Sequence, residues 1–220
     1  MMRAAPMTPL RIETSTTRAG KNIDYVDIAM LADDELCVRA SALRIRTADV
    51  VIDEVTDPTP IPQPPTPDAA VVSHFRHPEA ERPAFHHAID VSVDADAAVA
   101  WFRLAVPIVD DEPTSGFVAV ATVADWTYSI PNMIDAARGG GTLPTERTVF
   151  SINADTTVSV HRPLSGRWVG LRSLAYLGPL GAGTSAAQLF DDGGPLGFTS
   201  QSLLLRGASG APLSVRAGRT

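Results

Sequence analysis

Asp125, the run Asn153 to Thr157, and Gln201 are polar positions set where the apolar pattern of the sequence predicts burial. Such positions are where chemistry is worth seeking, because a buried polar group must be bonded or used. Asp125 sits between Ala124 and Trp126 at the end of an apolar helical stretch. A carboxylate there is costly unless it is hydrogen-bonded or employed; the plain alternative is an exposed charge one position off the apolar face. Asn153, Asp155, Thr156 and Thr157 interrupt a strand whose continuation, Val158 to Val160, alternates cleanly. They read either as a functional cluster or as the wet face of an edge strand. Gln201 lies inside the run Phe198 to Leu205, where it can serve a site or bond a neighbouring backbone group and nothing more.

Other reactive residue types read as structural. His161 stands at a strand end just before Arg162 and Pro163. His74, His77, His86 and His87 fall in or beside a proline-rich stretch, with no further ligand motif to make a metal site of them. Asp191-Asp192-Gly193-Gly194 lies between two strands and has the chemistry of a turn. Cys37, the single cysteine, sits in an alternating run and reads as a small apolar side chain. The sequence has no Gly-x-Ser-x-Gly elbow, no His-Glu-x-x-His, no Gly-x-x-x-x-Gly-Lys-Ser/Thr and no Gly-x-Gly-x-x-Gly after a strand. Serine hydrolase, zinc protease, P-loop and dinucleotide-binding readings lose their support.

The elements that must position these residues follow from composition and periodicity. The 220 residues carry 45 % hydrophobic and 20 % charged residues, the make-up of an ordinary globular chain with ample core. Eighteen Lys and Arg against 25 Asp and Glu give a net charge of −7, without a basic block. Nucleic acid is therefore not an expected partner. No stretch approaches the roughly 20 apolar residues of a membrane span, and the start lacks an apolar targeting segment, so a cytoplasmic protein is expected.

Proline density sets off residues 57–83 as a linker. It separates a first piece, 1–56, from a C-terminal piece, 84–207, with 208–220 as a tail. The first piece has strand patterns at 10–17, 23–31 and 36–46 joined by turn-rich residues, which predicts a three-strand antiparallel meander. The second has strand patterns at 88–93 and 98–109. In the stretch that follows, Phe117, Val120, Ala121, Ala124 and Tyr128 fall on one face of a helix, with a strand as the alternative because Val118, Thr122 and Val123 are β-branched. Four long strands at 150–163, 168–177, 183–190 and 196–206 complete it. One helix lying against a curved antiparallel sheet is an α+β arrangement.

Taken as a set, Ala124-Asp125, the run 151–163 with its His161-Arg162-Pro163, Trp168 beyond it, the run 189–197 and the run 200–206 resemble the C-terminal half of the acyl-CoA thioesterase II type. This is a branch of the thioesterase-like superfamily of double hotdog proteins. The resemblance covers about residues 84–207. It implies that the N-terminal meander corresponds to the last three strands of a first hotdog whose opening strands and helix are missing. The chain would then start at an internal methionine of a longer gene or be a reduced member.

In that family a helix Asp, a strand Thr or Asn and a late-strand Gln hold a water that attacks a thioester carbonyl. By motif position these roles fall on Asp125 as base or water orienter, with Asn153 and Gln201 holding the water and the developing charge. The best-known members carry Thr where Asn153 stands, and Thr156 is the substitute candidate. Trp126, Tyr128, Ile130 and Met133 are candidates for shaping an acyl tunnel, though core packing explains them as well; Thr156 is also a candidate substrate contact. The expectation is an acyl-CoA thioesterase needing no metal and no cofactor, with acyl-CoA as partner and a homo-oligomer as its state. Enoyl-CoA hydration is disfavoured because no histidine stands near Asp125. The alternative is a non-catalytic hotdog that binds acyl-CoA or serves as an assembly subunit.

Overall fold

A computed structural model describes residues 5–49, 61–65, 85–139 and 149–207. The chain forms two compact units, Met1–Pro58 and Thr59–Thr220. Most of the proline-rich stretch, with His74 and His77, and the tail from 208 lie outside the described residues. Among the described residues no helix is long and apolar enough to cross a membrane.

The first unit is an antiparallel meander of β1 (Arg11–Arg18), β2 (Ile23–Ala32) and β3 (Glu35–Ile45). Its tight turns fall at Ala19–Asn22 and Asp33-Asp34, where both aspartates adopt positive φ. Short polar side chains tolerate that conformation better than β-branched ones, which explains why the chain reverses there. Cys37 is buried, and its thiol lies 3.6 Å from the Glu35 carbonyl oxygen.

The second unit is a seven-stranded curved antiparallel sheet. Its strands are β4 (Ile89–Asp94), β5 (Val99–Leu104), β6 (Val149–Asn153), β7 (Thr157–Val160), β8 (Val169–Leu177), β9 (Ala182–Asp191) and β10 (Gly194–Gly207), in the order β4-β5-β8-β9-β10-β6, with β7 also on β10. Strand β5 stops at Leu104, short of the predicted 109, because its partner β4 begins only at Ile89, opposite Leu104, after a 3-10 turn over Phe85–Ala88. The run from 150 is two strands, not one. Asn153 pairs with Leu203 while Thr157 pairs with Ser200, so Ala154, Asp155 and Thr156 oppose only Gln201 and Ser202. That is a bulge of one extra residue.

The helical segment is likewise divided. Helix α1 (Gly116–Ala124) begins at Ser115, whose hydroxyl accepts from the Val118 N–H, a standard N-cap. A 3-10 turn over Thr127–Ser129 leads into α2 (Ile130–Arg138), which has Pro131 in its first turn. Val120, Val123 and Ala124 are buried, but Phe117 is 59 % exposed and Ala121 is exposed. The buried stripe is thus rotated from the expected face. Val120, Val123, Ile130, Met133 and Ile134 pack onto the inner face of the sheet, against Val91, Ala100, Phe102, Val169, Leu171, Ala187 and Leu189.

A second cluster, Val99, Trp101, Trp168 and Phe190, lies on the other face of the sheet. There the Trp101 ring sits over Gly170, where a Cβ would come within 2.8 Å of it. Arg103 stacks over Trp168 and Arg172 over Phe190.

Candidate active site

The break between α1 and α2 is written into the backbone bonding. Past Ala124 the chain tightens to i→i−3 bonds, Trp126 N–H to Val123 C=O and Ser129 N–H to Trp126 C=O. In a continuous helix the Thr127 carbonyl would accept from residue 131, but proline has no N–H. The Ser173 hydroxyl of β8 donates to that carbonyl instead, at 2.6 Å. The Thr127 hydroxyl donates to the Ala124 carbonyl at 2.7 Å.

Gln201 completes the arrangement from β10. It is 2 % exposed, and a buried amide must find partners for two N–H bonds and an oxygen. Its Nε2 donates to the Asp125 carbonyl at 3.2 Å and to Thr156 Oγ1 at 3.2 Å, with the Ala124 carbonyl at 3.4 Å. Its Oε1 accepts from the Tyr128 N–H and the Ser185 hydroxyl, both at 3.2 Å. Every hydrogen-bonding position of Gln201 is therefore occupied by protein. It ties the helix break, the bulge and the central sheet together.

Asp125 caps α1 at its C-terminal end and is exposed. Its Oδ1 accepts from Asn153 Nδ2 at 2.9 Å, and the same Nδ2 lies 3.4 Å from the Asp125 carbonyl. The carboxylate is at the surface but fixed at one oxygen. Asp155 turns away from this group; its Oδ1 accepts from the Ser202 N–H at 2.7 Å. That N–H and the Ser202 hydroxyl hold its carboxyl below the ordinary range.

Asp125, Asn153, Gln201 and Thr156 thus meet in one hydrogen-bonded group. Trp126 faces the core, its ring 5.7 Å from that of Phe102. Tyr128 joins the group through its backbone N–H, and Ile130 and Met133 are core residues. His161 is exposed at the end of β7 and His87 is exposed in a 3-10 turn. Among the described residues no group of His, Cys, Asp or Glu has the arrangement of a metal site.

Sequence reasoning missed Ser173 and Ser185. Their signal was a polar residue at an inward position of a strand otherwise built to be buried. It also missed the pair beside the β9–β10 turn: Arg162 grips both oxygens of Asp191 at 2.6 Å each. The Asp191 carboxylate further accepts from the N–H groups of Ser165 and Gly193, at 2.7 Å each. Burial alone would raise the Asp191 pKa, but these four donors outweigh it and leave it lowered, while Arg162 is raised by its bond to Asp191. Next to it, burial and the Asp191 charge raise Asp192.

The sequence matches the family model of the acyl-CoA thioesterase C-terminal domain over residues 55–205, well over half of the 220 residues. The chain belongs to that family. Its match includes the helix break, the bulge and the Arg162–Asp191 pair. No curated protein matches the sequence.

Among solved structures, the chain resembles acyl-CoA thioesterase II TesB2 from Mycobacterium marinum, at 17 % identity and a TM-score of 0.56. The match covers 94 % of this chain and 78 % of that one. A tesB protein of Mycobacterium avium subspecies paratuberculosis aligns at 16 % identity and a TM-score of 0.56, covering 90 % and 72 %. A hot dog fold protein of unknown function from Alicyclobacillus acidocaldarius aligns at 14 % identity and a TM-score of 0.52, covering 89 % and 72 %. These likenesses show the fold: a hotdog, in which a curled antiparallel sheet wraps a short helical segment.

Proposed function

We propose that this member of the thioesterase family hydrolyses acyl-CoA thioesters to the free acid and CoA by means of an activated water. The observation that supports this reading is the convergence of Asp125, Asn153, Thr156 and Gln201 from a helix end, both sides of a bulge and a central strand. With Oδ1 engaged by Asn153, the Asp125 carboxylate keeps Oδ2 to accept a proton from water as the oxygen attacks the thioester carbonyl. The tetrahedral intermediate then expels the CoA thiolate, which takes up a proton. Thiolate is a good leaving group, so no covalent nucleophile is needed.

Gln201, bonded entirely to protein, acts by positioning. Its N–H on Thr156 Oγ1 leaves that hydroxyl's own hydrogen free to donate to the water or to the developing oxyanion. The Asn153 amide oxygen can accept from the same water. On the same reading the chain is a homo-oligomer. Ile152, Leu174, Tyr176, Phe198 and Leu204 are exposed together on the outer face of the sheet, a surface of the kind that oligomers cover.

A second reading, a non-catalytic hotdog that binds acyl-CoA, draws on the exposure of Asp125, which leaves the proposed base in a polar setting. Thiol release from a panel of acyl-CoA chain lengths decides between them. Turnover by the wild type, with kcat reduced by on the order of a hundredfold or more in Asp125→Ala while the fold is retained, is the expected result. A folded wild-type chain without turnover on any acyl-CoA would refute the thioesterase reading.

A further inference from the structure

Strict alternation along a strand cannot place two residues three apart on the same face. Asn153 and Thr156 are three apart, yet both meet the group around Gln201. The bulge resolves this. On β6 the odd-numbered residues Val149, Ser151 and Asn153 are the more buried ones, whereas on β7 they are the even-numbered Val158 and Val160. One extra residue between the strands reverses the parity and turns both Asn153 and Thr156 inward.

A bulge leaves the ladder short of a partner, and here the gap is filled from a side chain. Ala154 N–H donates to the Ser202 carbonyl at 2.8 Å, continuing the register of β6. The Ser202 N–H is taken by the Asp155 carboxylate at 2.7 Å. Asp155 is thus bonded to β10 directly across from the extra residue, with a charge-assisted bond stronger than the amide pair it replaces.

We propose that Asp155 is a positioning residue of this site: by holding the Ser202 N–H it fixes the one-residue bulge that brings Asn153 and Thr156 together on Gln201 and Asp125. The proposal rests on the thioesterase reading for its kinetic consequence, but not for its structural one. Asp155 touches neither substrate nor the reacting water; it acts through the residues on either side of it.

The test compares Asp155→Ala with Asp155→Asn, whose amide oxygen can still accept from the Ser202 N–H. In Asp155→Ala, kcat is expected to fall by on the order of tenfold to a hundredfold, as for catalytic groups displaced by about an ångström. KM and melting temperature should stay close to wild type, since the freed N–H belongs to an exposed residue at the gap in the ladder and is solvated there. Asp155→Asn should recover most of kcat. NMR of the full-length chain supplies a readout independent of turnover. In Asp155→Ala the Asn153 side-chain amide resonances should move toward solvent-exposed values and the Ser202 amide should exchange faster, with both restored in Asp155→Asn. Unchanged Asn153 and Ser202 signals in Asp155→Ala would overturn the proposal. So would wild-type kcat in that variant. If the wild type lacks turnover the thioesterase reading fails, and the NMR comparison still decides the role of Asp155.

Discussion

Replacing Asp191 by alanine tests whether the ion pair beside the β9–β10 turn holds the second unit together. The Asp191 side chain is fully buried and Arg162 is 27 % exposed. Removing one partner of a buried, hydrogen-bonded pair costs about 3–5 kcal/mol, because the remaining charge loses its compensation. Arg162 would keep the Gly194 and Pro195 carbonyls, at 3.1 and 2.9 Å, and some contact with water. The N–H groups of Ser165 and Gly193 belong to exposed residues and would be solvated. The lower end of the range therefore applies, about 3 kcal/mol. For a unit of this size that is a fall in Tm of roughly 6–12 °C.

Urea unfolding followed by tryptophan fluorescence is the assay. Trp101, Trp126 and Trp168, the three tryptophans of the chain, all lie in the second unit, so the signal reports on that unit. The pH dependence carries a further check. The folded-state pKa of Asp191 lies below the ordinary 3.8, so its contribution is complete above that value and is lost as pH falls through the folded value. The difference between wild type and Asp191→Ala should therefore be full at pH 7 and shrink as the pH drops below about 4. The variant Arg162→Met/Asp191→Leu, with both charges gone, should be more stable than Asp191→Ala. A loss of less than about 1 kcal/mol at pH 7 would refute the reasoning. A difference that does not shrink in acid would refute it equally.

Gln201→Leu should destabilise the second unit by about 1–3 kcal/mol, the cost of leaving the half-buried Tyr128 N–H and the buried Ser185 hydroxyl without their acceptor, measured by the same unfolding assay. It should also lower kcat, since the helix break and Thr156 lose their common tie; full activity would show that Gln201 is dispensable for positioning. Light scattering at micromolar concentration should give a homo-oligomer, and Tyr176→Glu on the outer face of the sheet should shift it toward monomer. A wild-type monomer would count against the assembly reading.

Strand positions were legible because alternation is a local property. Residues 23–31, 168–177 and 196–206 carry it plainly, and the strands observed there differ from expectation by one or two residues at most of their ends. The division of the helix was partly written in Pro131, which removes one intrahelical donor, but the sequence alone did not say what would replace that bond. The rotated buried stripe of α1 was not legible for a related reason. Phe117 and Val120 fit an apolar face equally well by spacing, and only the position of the sheet decides which side is covered.

Asp125, Asn153, Thr156 and Gln201 could each be singled out because a polar residue in an apolar pattern has to be explained. The sequence by itself determined the antiparallel, strand-rich second piece and the turn at Asp191–Gly194, since these rest on periodicity, proline and turn chemistry within a few residues, while the stretch from Phe117 stayed open between helix and strand. Only the tertiary structure decided that the run from 150 is two strands of opposite parity, that Gln201 is satisfied by five protein groups, and that Arg162 belongs to Asp191. The physical reason is one of range. Alternation and turn preference act between neighbours, whereas a hydrogen bond between residues 28 to 77 positions apart exists only once the sheet has curled around the helix and brought them within 3 Å or so of each other.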